Sequence, residues 1–140
     1  MVKTFKLKIV TPERQAVALD ADSVILPGAA GSFGVLPEHA PILAALKPGM
    51  LKVTHGNVCD FYACSGGYAE VTGEQVIVLA DALEAGSEID AERAKKALQR
   101  AEERLSKKPE GTDMPRALNA MERARARLAV LEAQLVASKK

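Results

Sequence analysis

Hydrophobic and polar residues alternate along the first part of the chain. From Thr4 to Thr11, Phe5, Leu7 and Ile9 take turns with Lys6 and Lys8, the pattern of a strand with one wet face. Pro12-Glu13 ends it. Short β-rich runs recur at 16–19, 23–26, 42–46, 50–54, 58–63, 68–71 and 75–79. Turn formers separate them: Pro27-Gly28, Pro37, Lys47-Pro48-Gly49, His55-Gly56-Asn57, Gly66-Gly67 and Thr72-Gly73-Glu74. Such runs, spaced at about 8–12 residues with turn signals between, predict an all-β antiparallel sandwich of about ten short strands. No helical pattern interrupts them, which argues against a parallel sheet.

After Gly86 the period changes. Ser87 with Asp90 offers a capping-box start, and Ala94, Ala97, Leu98, Ala101 and Leu105 follow at helical spacing. The segment 107–111, with two lysines, Pro109 and Gly111, predicts a stop around Ser106. A second helix restarts at Asp113, with Pro115 tolerated in its first turn. It carries Leu118, Met121, Ala124, Leu128, Leu131 and Leu135 as a coiled-coil-like seam. From Pro115 to Ala137 it would span about 35 Å. The short connection implies an antiparallel hairpin. Both seams are rich in alanine, which buries less area than leucine, so the hairpin is expected to hold only modestly to itself and to the sandwich. The expected organisation is a β-sandwich over 1–86 and a movable helical hairpin over 87–140.

Composition narrows the chemistry. A chain of 140 residues can bury about two-thirds of its unfolded surface, enough for a core without metals or disulfides. No apolar run approaches the roughly 18 residues of a membrane helix, so membrane association would have to go through a partner. Aromatics at 4%, no Trp and a net charge of +1 weigh against a base-stacking surface. The N-terminal stretch MVKTFKLKIVTPE lacks a secretory or organellar signature, which predicts an unprocessed cytoplasmic chain. Cys59 and Cys64, five apart in one strand, point to opposite faces; the expectation is two small buried thiols with no local disulfide.

No catalytic constellation emerges. The loop Gly28 to Gly34 has neither Gly-x-Gly-x-x-Gly spacing nor a following Gly-Lys-Ser/Thr, and no helix follows it; it reads as a glycine-rich hairpin. His39, in a Pro-bracketed loop, and His55, in a turn, have no Cys or carboxylate at a metal-ligand spacing. Ser65-Gly66-Gly67 is not a nucleophile elbow. No catalytic residue and no metal is assigned.

Three stretches carry a family resemblance. The segment 31–43, GSFGVLPEHAPIL, with Leu46-Lys47-Pro48-Gly49 behind it, closely resembles the signature of the ATP synthase epsilon-subunit family. So does Ser65-Gly66-Gly67-Tyr68-Ala69-Glu70-Val71, with Val78-Leu79-Ala80-Asp81 following. Ile89-Asp90-Ala91-Glu92-Arg93-Ala94 is similar to the family's Ile/Leu-Asp-x-x-Arg-Ala motif. The similarity runs in register from Phe5 to near Ala133.

The resemblance implies a non-catalytic subunit of the central stalk that helps couple rotation to proton-driven ATP synthesis. It implies a sandwich packed on the gamma subunit and resting on the c-ring, at the cytoplasmic face of a bacterial plasma membrane. By the same resemblance Ala29, Ala30, Gly31, Ser32 and Phe33 meet the c-ring. The segment 37–43, with His39, belongs to the scaffold and gamma-facing surface, although Pro37, Pro41 and Pro48 fit a purely structural role equally well. The family's hairpin can lie folded or extend into the alpha and beta subunits and inhibit hydrolysis. No cofactor is required, and ATP is a regulatory ligand of some members; the matching positions are Glu84, Asp90, Arg93, Ala94, Arg123 and Arg127.

Geometry is compatible with that set. Asp90 and Arg93 share a helix face, as do Arg123 and Arg127, and antiparallel packing would converge three guanidiniums on phosphate oxygens. The same charges suit intrahelical pairs and a solvated face equally well. Arg116, Arg123, Arg125 and Arg127 also read as a basic stripe for acidic residues on a beta subunit. The alternative of another class is a stand-alone ATP-sensing module attached to no rotor.

Overall fold

The computed structural model describes residues 3–108 and 110–138. The alternation seen in the sequence makes β1 (Phe5–Val10), whose Phe5, Leu7 and Ile9 are buried while Lys6 and Lys8 are exposed. It is followed by β2 (Gln15–Ala21), β3 (Ser23–Gly28), β4 (Gly31–Val35), β5 (Ile42–His55), β6 (Val58–Val71), β7 (Gln75–Ala80) and β8 (Leu83–Ala85). The strands are ordered β2-β1-β7-β6-β5-β3-β4, with β8 beside β6.

There are eight strands rather than about ten: two expected turns are bends inside long strands, which merges four of the expected runs into two, while β4 and β8 arise where no run was read. β5 and β6 are 14 residues each and pair from Ile42↔Val71 to His55↔Val58. The turn formers at 47–49 and 65–67 lie opposite one another in this ribbon, Pro48 beside Ser65 and Leu46 beside Gly67. Gly66 and Gly67 take φ of 107° and 133°, values that side chains rarely adopt, and a Cβ on Gly67 would strike the Leu79 carbonyl oxygen. The bend sends one half of β6 to β7 and the other half to β8. Ribbon and flanking strands thus fold over a shared core. Leu7, Ile9, Val71, Val76 and Val78 meet Val24, Leu26, Val35, Leu51 and Val53 there.

Two further departures follow from long-range pairing. β1 and β7 are parallel, Lys6–Val10 beside Gln75–Leu79, in an otherwise antiparallel sheet. Parallel neighbours need a long connection; here strands β2 to β6 supply it in place of a helix. The glycine-rich hairpin is real but tighter than expected. Its turn is Ala29-Ala30, and Gly31 to Val35 form β4, paired with β3 from Gly28↔Gly31 to Val24↔Val35. Cys64 is buried as expected; Cys59 is exposed, because the ribbon tip carrying it stands clear of the core.

Beyond a 3₁₀ turn at Gly86–Glu88 come α1 (Ala91–Lys107) and α2 (Met114–Ser138). The cap of α1 is Asp90 alone, whose Oδ1 accepts the Arg93 N–H at 3.1 Å; Ser87 sits in the 3₁₀ turn instead. Lys108, in the left-handed region at φ 46°, closes the helix one residue beyond the expected stop. Pro109, part of that stop signal, lies outside the described residues. Asp113 Oδ1 accepts from the Arg116 N–H at 3.1 Å and starts α2.

α1 packs on α2, and α2 packs on β5 and β6. Ala126 and Val130 meet Ala63, flanked by Met50, Phe61 and Ile89. The seam differs from the heptad reading: Leu118 and Leu135 are 46% and 61% exposed, while Ala117, Ala124, Ala126 and Val130 are buried. Ala124 and Ala126 lie about 200° apart around the helix. α2 buries two sides because it has two partners, which a single-seam pattern does not describe.

Candidate functional site

A cavity of about 390 Å³ opens where the sheet hands over to the helices. β8 supplies Glu84 and the 3₁₀ turn Glu88; the cap of α1 supplies Asp90, α1 itself Arg93 and Ala94, and α2 supplies Arg127. Five of the six positions taken from the resemblance therefore come together. Arg123 is not among the lining residues; it lies one turn earlier on α2 and is half-buried. The two helices bring the guanidiniums of Arg93 and Arg127 to one cavity, and the third expected guanidinium is not part of it.

α1 contributes three residues that the motif did not contain: Lys96, Ala97 and Arg100. They stand three, four and seven positions after Arg93, so they share its helix face, a signal that was readable from spacing. The buried Ala94 and half-buried Ala97 leave a low floor between the cationic side chains.

The carboxylates here already have partners. Glu84 Oε1 accepts from Arg127 Nε at 2.7 Å, with both side chains 32% exposed. Glu88 Oε1 accepts the Ala85 N–H at 3.2 Å and lies 3.8 Å from Arg14, and Asp90 caps α1. Among the described residues no carboxylate pairs with Arg93, Lys96 or Arg100. An acidic end, at β8 and the helix start, thus gives way along α1 to a basic end. Guanidinium and ammonium groups so placed can hold phosphate oxygens. Because Arg127 comes from α2 and Glu84 from the sheet, the cavity is complete only with the hairpin folded down.

A second feature is a bare sheet face. Val10, Leu79, Tyr68 and Ala45 lie side by side across β1, β7, β6 and β5, and Ile77 and Leu43 flank them in the next row. Leu43, Tyr68 and Leu79 are 75%, 60% and 56% exposed. Paired residues share a face, so the Val10-Leu79-Tyr68-Ala45 row is continuous, the next row is interrupted by Lys8 and Glu70, and among the described residues no element covers Leu43, Tyr68 and Leu79.

The other expected contacts are scattered. Ala29 and Ala30 form the exposed β3–β4 turn, and Gly31 and Ser32 are exposed on β4. Phe33 packs against the core instead, with its ring over Gly28. His39 is half-exposed and its Nδ1 lies 2.7 Å from the Ala40 carbonyl. Beside it Glu38 pairs with Lys3 at 2.7 Å, which holds the Glu38 carboxyl below its ordinary range. Along α2, Arg116, Arg123 and Arg127 are spaced by seven and four and share a side. Arg125 is two residues from its neighbours in the set and points elsewhere, exposed. The basic stripe is three residues, one of them engaged by Glu84.

Comparison with known proteins agrees with this architecture. Residues 4–86 match the family model of the ATP synthase Delta/Epsilon chain beta-sandwich domain, and residues 87–132 that of its long alpha-helix domain. The ATP synthase epsilon chain of Desulforamulus reducens is 46% identical over 132 residues, 94% of this chain and 100% of that one. That of Syntrophobacter fumaroxidans is also 46% identical, over 94% of this chain and 98% of its own. A chain in the Euglena gracilis mitochondrial ATP synthase superposes with a TM-score of 0.78 at 26% identity, covering 94% of this chain and 81% of that one. A Tetrahymena thermophila chain at 14% identity and a TM-score of 0.60 shares the fold. Among the described residues no helix is long and apolar enough to cross a membrane. The sandwich, the hairpin folded onto it and these relatives together make the chain a member of the ATP synthase epsilon-chain family, a non-catalytic subunit of that complex.

Proposed function

We propose that this chain works in the central stalk, its sandwich fixed to a rotor partner by the bare face and its hairpin acting as a movable brake. The observation that carries the reading is the unequal treatment of the two ends of the β5–β6 ribbon. At the end where Ile42 pairs with Val71, Leu43 and Tyr68, with Leu79 of the adjoining β7, are uncovered, and further along the ribbon Ala63 packs against α2. An exposed apolar strip of this kind marks a protein interface, and the family resemblance names the gamma subunit as the partner that fits it. The exposed Ala29-Ala30 turn is the part of the sandwich assigned to the c-ring, and the complex would sit at the cytoplasmic face of a bacterial membrane.

The hairpin is held down by small side chains and one partly exposed ion pair, so it can leave without disturbing the core. Extended, it would offer Arg116, Arg123 and Arg127 to acidic surfaces of alpha and beta and slow hydrolysis. Folded, it completes the cavity at the joint, for which the family resemblance names ATP as the ligand. ATP bound there would favour the folded arm, because a ligand shifts an equilibrium toward the state it binds better.

Co-purification with gamma tests the first part. Tyr68→Glu buries an unpaired carboxylate in that interface and should abolish capture by gamma while leaving the sandwich folded; full retention of gamma by this variant would remove the assignment. Calorimetry with ATP on the isolated chain tests the second part. Arg127→Ala should lose the heat of binding, and an unchanged isotherm would sink the nucleotide site.

A further inference from the structure

We infer that the bare sheet face is complementary to itself, and that two copies of the free chain pair through it, face to face, with Lys8 of each copy against Glu70 of the other. This pairing belongs to the chain before a rotor partner covers that face, and so goes beyond the gamma contact proposed above.

Three observations carry it. The first is the apolar row Val10-Leu79-Tyr68-Ala45 with Leu43 beside it; Leu43, Tyr68 and Leu79 are all more than half exposed. Such a strip, wet in the free chain, gains free energy from a matching apolar cover. The second is the order of the neighbouring row. Ala18, Lys8, Ile77, Glu70 and Leu43 lie side by side across β2, β1, β7, β6 and β5, so a cation and an anion flank the central strand, one on each side. The third is that neither charge is used within the chain. Two strand spacings, about 10 Å, separate Lys8 from Glu70. Both are exposed, and among the described residues neither has an ion-pair partner.

A two-fold axis running along β7, midway between two such faces, turns this order into a match. It carries β1 of one copy over β6 of the other and leaves each row facing itself. Lys8 then meets Glu70 twice, once on each side of the axis. Ile77 and Leu79 meet their own counterparts, Tyr68 covers Val10, and Leu43 covers Ala18. Strand directions stay aligned, a common way for sheets to stack, at a separation of about 10 Å that long side chains bridge. The contact is isologous, so it closes at two copies. Only three large apolar side chains per copy are exposed there. That places the contact at the weak end of interfaces, about 1,200 Å² or less in all. The pairing is therefore reversible, and a rotor partner with a larger contact displaces the second copy.

The test is sedimentation velocity on the full chain, from about 1 μM to about 500 μM. The wild-type chain should pass from monomer to dimer over that range and form nothing larger. Lys8→Glu alone and Glu70→Lys alone each set like charges opposite one another twice, and each should weaken self-association about tenfold or more. An equimolar mixture of the two variants restores both pairs and should give a mixed dimer about as tight as the wild type. Both positions are exposed, and unchanged circular-dichroism melts should show the variants folded. A wild-type chain that stays monomeric throughout would overturn the inference, and capture of gamma by that same chain would leave the rotor contact standing. Dimers that survive Tyr68→Glu would overturn it too, because the contact would lie elsewhere. So would single variants that pair as the wild type does, or a mixture that stays apart. Added gamma should dissolve the dimer into one chain per gamma; a gamma complex that keeps both copies would overturn the shared face.

Discussion

Gly67 shows how much one residue can decide. Its φ of 133° and the Leu79 carbonyl beside it leave no room for a Cβ, and the obstacle is backbone, which cannot rotate away. Gly67→Ala should lower stability by about 2 kcal/mol or more and the thermal midpoint by roughly 5–10 °C, seen in a melt followed by circular dichroism. Gly34→Ala is the matched control: nothing stands within 4 Å of its would-be Cβ and its φ is ordinary, so its melt should hardly move. The two thiols make a second contrast. Burial pushes the Cys64 thiol up from its usual value, while Cys59 is exposed. Native protein at pH 8 should therefore give one rapid equivalent with a thiol reagent and a second only on unfolding. The linkage sign follows from the raised value. The folded state favours the protonated thiol, so its contribution is intact below the unfolded pKa of about 8.5 and is lost as pH climbs beyond that. Sequence alone placed these thiols on opposite faces but made both buried, because it did not show that the ribbon tip stands clear of the core.

At the scale of elements, the limit of sequence reading is visible in the β5–β6 ribbon and in α2. Pro48-Gly49 and Gly66-Gly67 were sound breaker signals, yet a breaker pair on facing positions bends a ribbon instead of ending it, and only the pairing partner reveals which. Gly31 to Val35 lacked the alternation of a strand; pairing with β3, not its own composition, makes it one. The start of α2 at Asp113 was legible because its side chain bonds the amide three residues ahead; α1 starts at Asp90 by the same local bond, three residues after the Ser87 start expected from the sequence. Asp90→Ala should accordingly cost about 1 kcal/mol of α1 stability. The docked side of α2 was not legible, since a heptad pattern cannot name two partners at once. Of the cavity, the motif on α1 and Arg127 were legible; Lys96 and Arg100 were readable only by extending the face of Arg93 beyond the motif. Val130, fully buried against Ala63, is the firmest point of docking. Val130→Ala should loosen the hairpin by about 1–2 kcal/mol. Hydrogen exchange would register this as faster exchange throughout α2, with β1, β7 and the Val71–Val76 core unaffected.

For the whole molecule, the question is whether the sandwich and the arm are thermodynamically separable. The main core draws only on strand residues, from Phe5 to Leu83, and the helices contribute none of it. The second cluster, Ala63 with Ala126 and Val130, is small and lies on the outside of the ribbon. Removing everything from Glu88 onward should thus leave a sandwich that melts cooperatively and still presents Leu43, Tyr68 and Leu79. Met50, Phe61 and Ala63 would become wet, so the truncated chain should bind a hydrophobic dye more strongly than the full one. It should retain gamma, and the assembled enzyme carrying it should hydrolyse ATP faster, because the brake is gone while the anchor remains. A truncated chain that loses its cooperative melt would mean the helices hold the sandwich together. A truncated chain that folds but no longer captures gamma would move the anchor from the sheet face to the arm. Either result would break the division of labour, and the melt and the capture assay together tell which half of it fails.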